Sequence, residues 1–115
     1  MGFYNNAFAE TNLQDGNTYL KYCKSSLKAL EGGQLNEEEM IQSGNCVGFI
    51  TGYINAHKLE THGTIAQEYY CLPSNGRLGE YIRKFVKYME EHPEKLNEDT
   101  QLLFFSSLTK AFPCN

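Results

Sequence analysis

The sequence lacks several features that would point to a membrane protein or a nucleic-acid-binding protein. It has no Trp and only three Pro, and no segment approaches the roughly 20 apolar residues of a membrane span. Even its most apolar stretch, 40–56, contains Gln42, Asn45 and Asn55. With ten Lys and Arg against fourteen Asp and Glu, the chain has no overall positive field to attract a phosphate backbone. We therefore expect no membrane insertion and no nucleic-acid partner.

Recognisable catalytic motifs are lacking as well. The chain contains no Gly-x-Ser-x-Gly, no His-Glu-x-x-His and no phosphate-binding glycine loop. His57, Glu60 and His62 could gather around one zinc ion, but no further ligand stands at a recognisable spacing. The sequence predicts a protein that is not an enzyme and uses no metal or cofactor.

The residues that are present predict a single folded domain. A chain of 115 residues can bury one modest core, and eight Tyr and seven Phe supply apolar surface that disordered chains lack. These tyrosines either cover the core or suit the centre of a protein interface; the candidates are Tyr53, Tyr69, Tyr70, Tyr81 and Tyr88.

Four cysteines stand far apart, at Cys23, Cys46, Cys71 and Cys114, with no Cys-x-x-Cys pair. Two disulfides, and with them an oxidising compartment, are the favoured interpretation, while four buried free thiols are the alternative. The small-x-small sequence at residues 7–9 has the form of a signal-peptidase site. We expect residues 1–15 to be an export-signal remnant with a disordered N-terminus, and 16–115 to be one helical domain.

Apolar spacing is helical almost throughout, which predicts an all-α, four-helix domain. The first helix is expected at 16–31 with Asp15 as its cap, and the second from the Asn36 cap to about Ala56. The third should carry the apolar residues of 78–89, and the fourth should open at Asn97. A longer irregular loop, 57–68, is expected between the second and third helices.

Gly44, Gly48 and Gly52 recur every four residues in the second helix and leave one face without side chains. Because each Gly costs about 1 kcal/mol relative to Ala in a helix, something should compensate. Packing of another part of the chain against this face is the favoured interpretation, and a dimer interface is the alternative.

Helical-hairpin symmetry favours one disulfide pairing among three. Cys23 lies eleven residues before Gln34, near the centre of the first connection, and Cys46 lies twelve residues after it. Antiparallel helices would place these two side by side, and Cys71 and Cys114 likewise lie at the far ends of the second hairpin. We favour Cys23 with Cys46 and Cys71 with Cys114, with the other connectivities left open.

The loop 57–68 mixes both charge signs around a central Gly63, and long connections are often functional. It could protrude into the cleft of a protein partner, or it could be a flexible connection. The candidate partner-binding residues are His57, Lys58, Glu60, Thr61, His62, Thr64 and Glu68.

Several fragments, in this order and within the four-cysteine frame, resemble the Rap/Tai immunity proteins over about residues 16–114. They are Gly16-Asn17, the run 46–54 (CVGFITGYI), Cys71-Leu72-Pro73, the run 88–94 (YMEEHPE) and Ala111-Phe112-Pro113-Cys114. The resemblance implies a small exported helical protein of the periplasm that neutralises a peptidoglycan amidase toxin of a type VI secretion system. It also implies steric occupation of the cleft of a papain-like amidase, and a homodimer that presents a protruding loop. The loop 57–68 suits that role by its position in the pattern.

One alternative from another functional class is a small periplasmic acid-stress chaperone. Such chaperones are also short, helical and disulfide-bonded, and they expose apolar surface when acidified. Dye binding and client protection at low pH would separate the two functions.

Overall fold

The computed structural model describes residues 14–61 and 69–115, with the backbone alone at 59–61. These residues form four α-helices, namely α1 (Gly16–Leu30), α2 (Glu37–Thr61), α3 (Leu78–Glu91) and α4 (Thr100–Ala111). A single 3₁₀ turn, Pro93–Lys95, lies between α3 and α4. The described ranges contain no strand, and their one β-bridge joins Asp15 to Asp99. The predicted all-α, four-helix class is confirmed.

The starts of α1 and α2 are fixed by the capping residues that the sequence indicated. Asp15 accepts a hydrogen bond from the backbone N–H of Thr18 at 3.2 Å. At α2, the Glu39 N–H donates to Asn36 Oδ1 at 2.8 Å, and the Asn36 N–H donates to Glu39 Oε1 at 3.0 Å. This reciprocal pair is a capping box, which satisfies two helix-end groups at once. Lys28 Nζ, on α1, also pairs with Glu39 at 3.0 Å and so ties the two helices together.

The end of α2 differs from the prediction. The helix continues to Thr61 instead of ending near Ala56, and it is 25 residues long. Residues 57–61 include neither Gly nor Pro, so nothing in the local backbone chemistry ends the helix there. The loss of apolar spacing after Ala56 reflects a polar helix end and not an irregular backbone.

The start of α4 also differs, by three residues. The helix was expected to open at Asn97, but α4 begins at Thr100, with Asp99 as its capping residue. Residues 96–98 instead accept hydrogen bonds from the first turn of α1. The Gly16 N–H donates to the Glu98 carbonyl at 3.1 Å, and the Asn17 N–H donates to the Leu96 carbonyl at 3.0 Å. Hydrogen bonds between distant segments of the chain therefore hold these residues in a turn that precedes α4.

Large aromatic side chains from three helices meet in the core. Phe85 of α3 and Phe104 of α4 are fully buried, with ring centroids 4.9 Å apart. Phe49 of α2 lies against both, at 6.3 Å and 5.6 Å. These contacts explain how a chain without Trp fills its interior.

The α1–α2 interface combines a buried disulfide with polar contacts. Cys23 and Cys46 are bonded and fully buried. Beside them, the hydroxyl of Ser25 donates to Gln42 Oε1 at 2.8 Å, and the Ser26 and Ser43 hydroxyls are 2.6 Å apart. Small side chains with internal partners let the two helices approach closely without leaving buried polar groups unpaired.

Both predicted disulfides are confirmed, Cys23–Cys46 and Cys71–Cys114. The second lies at the surface and joins the segment before α3 to the chain end after α4. On a loop-closure estimate each bridge contributes about 3–4 kcal/mol.

No described residue packs against the glycine stripe, so packing of another part of the chain there stays a prediction. A Cβ added at Gly44, Gly48 or Gly52 would have no atom of the described residues within 4 Å. The buried face of α2 carries Cys46 and Ile50, which lie two residues further along the helix and thus nearly opposite the glycines. Among the described residues, the stripe faces away from the buried side of α2.

Candidate functional site

The candidate site lies where α2 ends and the chain returns at Tyr69. His57, in the last turns of α2, stacks on the ring of Tyr70 with centroids 4.7 Å apart and planes 28° apart. Tyr70 is itself buried, and its ring meets Phe105 of α4 edge-on at 5.8 Å. The end of α2 is therefore held against α4 through one aromatic side chain.

The returning segment is attached to the rest of the domain at Cys71. Its sulfur is bonded to Cys114, and its backbone N–H donates to the Phe112 carbonyl at 2.8 Å. A covalent bond and a backbone hydrogen bond thus fix the same residue against the end of α4. This arrangement gives the site a rigid base, which lowers the ordering cost when a partner binds.

Tyr69 supplies the exposed aromatic surface of the site. Its side chain is 67% exposed, while its ring edge rests on Phe105 with centroids 5.6 Å apart. Of the five tyrosines singled out from the sequence, Tyr70, Tyr81 and Tyr88 are buried and Tyr53 is half-buried, so these four cover the core. A tyrosine packed on one edge and open on the other suits the centre of a protein interface.

A shallow cavity of about 160 Å³ lies beside the last turns of α2, between Lys58 and the segment before α3. Ile54 and Tyr81 contribute to its wall, and the exposed Lys58 stands at its edge. Burial, assisted by the nearby carboxylate of Glu80, raises the pKa of the Tyr81 hydroxyl above its usual value. Tyr81 therefore stays neutral at physiological pH, and Lys58 provides the positive charge at this edge.

The structure places the predicted contact residues differently from the sequence expectation. His57, Lys58, Glu60 and Thr61 belong to the helix α2 and not to a loop, because the helix runs five residues further than predicted. His62, Thr64 and Glu68 lie outside the described residues. Tyr69, the most exposed aromatic beside them, was one of five equivalent tyrosines in the sequence, and only its packing distinguishes it.

The described residues offer no arrangement typical of catalysis or metal binding. All four cysteines are in disulfides, and no group of three or more His, Cys, Asp or Glu in the described ranges is placed to hold a metal ion. In the same part of the chain, no helix combines the length and the apolar character needed to cross a membrane. The site can present a rigid surface that carries both aromatic and charged side chains.

The chain matches the family model described as Rap1a immunity proteins over residues 15–114. The matched range contains all four described helices and both disulfides. Comparisons with curated proteins and with solved structures gave no match.

Proposed function

Because the chain belongs to the Rap1a immunity protein family, we propose that it is a periplasmic immunity protein that inhibits a peptidoglycan amidase of a type VI secretion system. The family match over 15–114 is the observation that carries the proposal. Two disulfides support the location, since such bonds persist in oxidising compartments. The absence of a free thiol among its four cysteines supports an inhibitor over a cysteine-dependent enzyme.

The proposed mechanism is steric. The end of α2, together with Tyr69 and the chain between them, enters the substrate cleft of the amidase and denies access to the cell-wall peptide. The His57–Tyr70 stack and the Cys71–Cys114 bond support this mechanism because they hold both sides of the segment in place. Lys58 favours an acidic rim on the partner, and charge complementarity of this kind sets partner choice and association rate.

Inhibition of an amidase encoded beside this protein's gene tests the proposal directly. Purified amidase would be incubated with peptidoglycan fragments, and the cleaved cross-links counted by mass spectrometry. We expect an equimolar amount of this protein to abolish cleavage and to co-elute with the amidase. Unchanged cleavage at micromolar concentrations of this protein, across neighbouring and related amidases, would contradict the proposal.

We also propose that the protein is a homodimer that uses the outward face of α2. The stretch 40–56 contains no Asp, Glu, Lys or Arg, and Met40 and Ile41 are 55% and 68% exposed. The glycine stripe continues this uncharged face, with no described atom close to it. Small residues let two helix backbones approach closely, so a second copy of the same face is a suitable occupant.

A further inference from the structure

A second surface feature lies between α3 and α4 and shares no residue with the candidate site. It is a groove of about 280 Å³, walled by side chains from one side of each helix. Its lining includes Lys84, Lys87, Tyr88 and Glu91 of α3 and Ser107 and Lys110 of α4.

The groove is positively charged although the chain carries a net charge of −4. Lys110 pairs with Glu91 at 3.6 Å and lies 6.0 Å from the centre of the Tyr88 ring. Lys84 and Lys87 are exposed, and neither has a carboxylate within 4 Å among the described residues. Three lysines against one glutamate give the described lining of the groove a net positive charge, which attracts an anion.

A buried hydroxyl supplies a second and independent observation. Ser107 is 2% exposed, and its Oγ has no hydrogen-bond partner among the described residues. Since an unsatisfied buried hydroxyl destabilises a fold, it is expected to find a partner. A carboxylate oxygen that enters the groove between the lysines is an acceptor for this hydroxyl.

We propose that this groove binds a carboxylate side chain from an acidic segment of a protein partner. A cavity of this size is slightly below the usual range of small-molecule pockets and suits a single side chain. Lysine is a strongly hydrated point charge without the two-pronged geometry of arginine, so lysines alone hold a free ion weakly. Further contacts from a partner's surface are therefore needed for binding.

The charges around the groove argue against a nucleic acid. Backbone-tracking proteins need a continuous basic stripe, whereas here the sequence continues after Lys87 with three acidic residues, Glu90, Glu91 and Glu94. Within the groove the three lysines lie beside Glu91, and this arrangement fits one or two carboxylates and not a chain of phosphates.

The binding test uses the full chain labelled with ¹⁵N and a hexaglutamate peptide, followed by NMR at low salt. We expect saturable shifts at Lys84, Lys87 and Ser107. Lys87→Glu should weaken peptide binding about five- to tenfold because it replaces an attraction by a repulsion. Lys21→Glu is the matched control, an exposed helical lysine with the same change of charge, and should alter the affinity less than about twofold.

Ser107→Ala separates a ligand contact from a purely structural role. It should weaken peptide binding while leaving the melting temperature unchanged or raised, because it removes an unpaired buried hydroxyl. Equal binding of inorganic phosphate would overturn the assignment to a protein carboxylate, as would tighter binding of single-stranded DNA. Shifts that avoid the groove, or an equal loss in Lys21→Glu, would also overturn it. The peptide-binding experiment uses no amidase, so failure of the groove proposal can be distinguished from failure of the proposed amidase inhibition.

Discussion

At the scale of single residues, a few polar side chains determine where helices begin and which helices are linked by hydrogen bonds and ion pairs. Asn36 and Glu39 form a reciprocal cap at the start of α2, and Glu39 also binds Lys28 of α1. The hydrogen bond from the backbone at Asn36, followed by that from Lys28, lowers the pKa of the Glu39 carboxyl below its usual value of 4.5. The ionised form of Glu39 is therefore the form that the fold favours.

This pKa shift predicts a pH-dependent contribution to stability. A carboxyl with a lowered pKa stabilises the fold fully above its unfolded pKa, near 4.5, and that contribution is lost as the pH falls through the folded value. Glu39→Gln should unfold more easily than the wild type at pH 6, and the difference should shrink as the pH falls below 4.5. Thermal melts across this range would measure it, with Glu38→Gln, exposed in the same turn, as control. A difference that stays constant as the pH falls below 4.5 would contradict the prediction.

The proposed contact surface for the amidase can be tested by a charge reversal at Lys58. Lys58→Glu should raise the inhibition constant toward the cognate amidase about five- to tenfold, because it reverses the charge at the edge of the contact surface. The melting temperature should remain within a degree or two, since Lys58 is exposed. Lys21→Glu is the matched control on α1. Equal inhibition by both variants would place the contact elsewhere on the molecule.

At the scale of elements, α2 has two faces with different tasks. One carries Cys46 and Ile50 into the core, and the other carries Gly44, Gly48 and Gly52 toward the outside. Each end of α2 is tied separately, by the cap and the Lys28 pair at its start and by the His57–Tyr70 stack near its end. Because other parts of the chain hold both of its ends, α2 presents its outward face in a fixed orientation.

The two disulfides differ in accessibility, and this predicts the order in which they are reduced. Cys23 and Cys46 are fully buried, whereas Cys71 and Cys114 are exposed. Mild dithiothreitol followed by alkylation and mass spectrometry should label Cys71 and Cys114 first, because attack on a disulfide needs access to sulfur. Labelling of Cys23 and Cys46 at the same rate would show that the core opens as readily as the surface.

Loss of the exposed bridge should affect function more than folding of the core. The double variant Cys71→Ser with Cys114→Ser should lose about 2–4 kcal/mol of stability and inhibit the amidase less well, because the return segment loses its covalent tie to the end of α4. Chemical denaturation and the inhibition assay measure the two effects. Full inhibition by this variant would show that the base of the site is held well enough by the Tyr70 contacts alone.

At the scale of the whole molecule, the glycine stripe connects the fold to the proposed dimer. Gly48→Ala places a methyl group where no described atom lies within 4 Å, so a monomer should gain about 0.5–1 kcal/mol of stability from helix propensity. In a dimer that packs here, the same methyl group separates the two backbones and weakens association.

Sedimentation of the wild type, Gly48→Ala and Gly48→Arg tests this proposal. We expect the wild type to be a dimer, Gly48→Ala to dissociate more readily and Gly48→Arg to be monomeric. Gln101→Arg, exposed on α4, adds the same charge away from the face and should stay dimeric. Dimers of unchanged affinity in both Gly48 variants would move the interface to another surface.

Many structural features of this protein follow from its sequence alone. The helical class, the caps at Asp15 and Asn36, and the preferred disulfide pairs were all predicted and confirmed. These features depend on interactions within a turn or on the symmetry of a hairpin, so residue type and spacing are enough to predict them. The family resemblance, carried by the cysteine frame and short motifs, was confirmed by the match over 15–114.

Other features were decided only by tertiary structure. The start of α4 depends on bonds from residues 16 and 17 to a segment some 80 positions away, which no local pattern contains. The outward direction of the glycine stripe depends on which face of α2 the other helices cover, and the prominence of Tyr69 depends on its packing against Phe105. Periodicity reveals that a helix has distinct faces, but only the packed neighbours determine which face is buried.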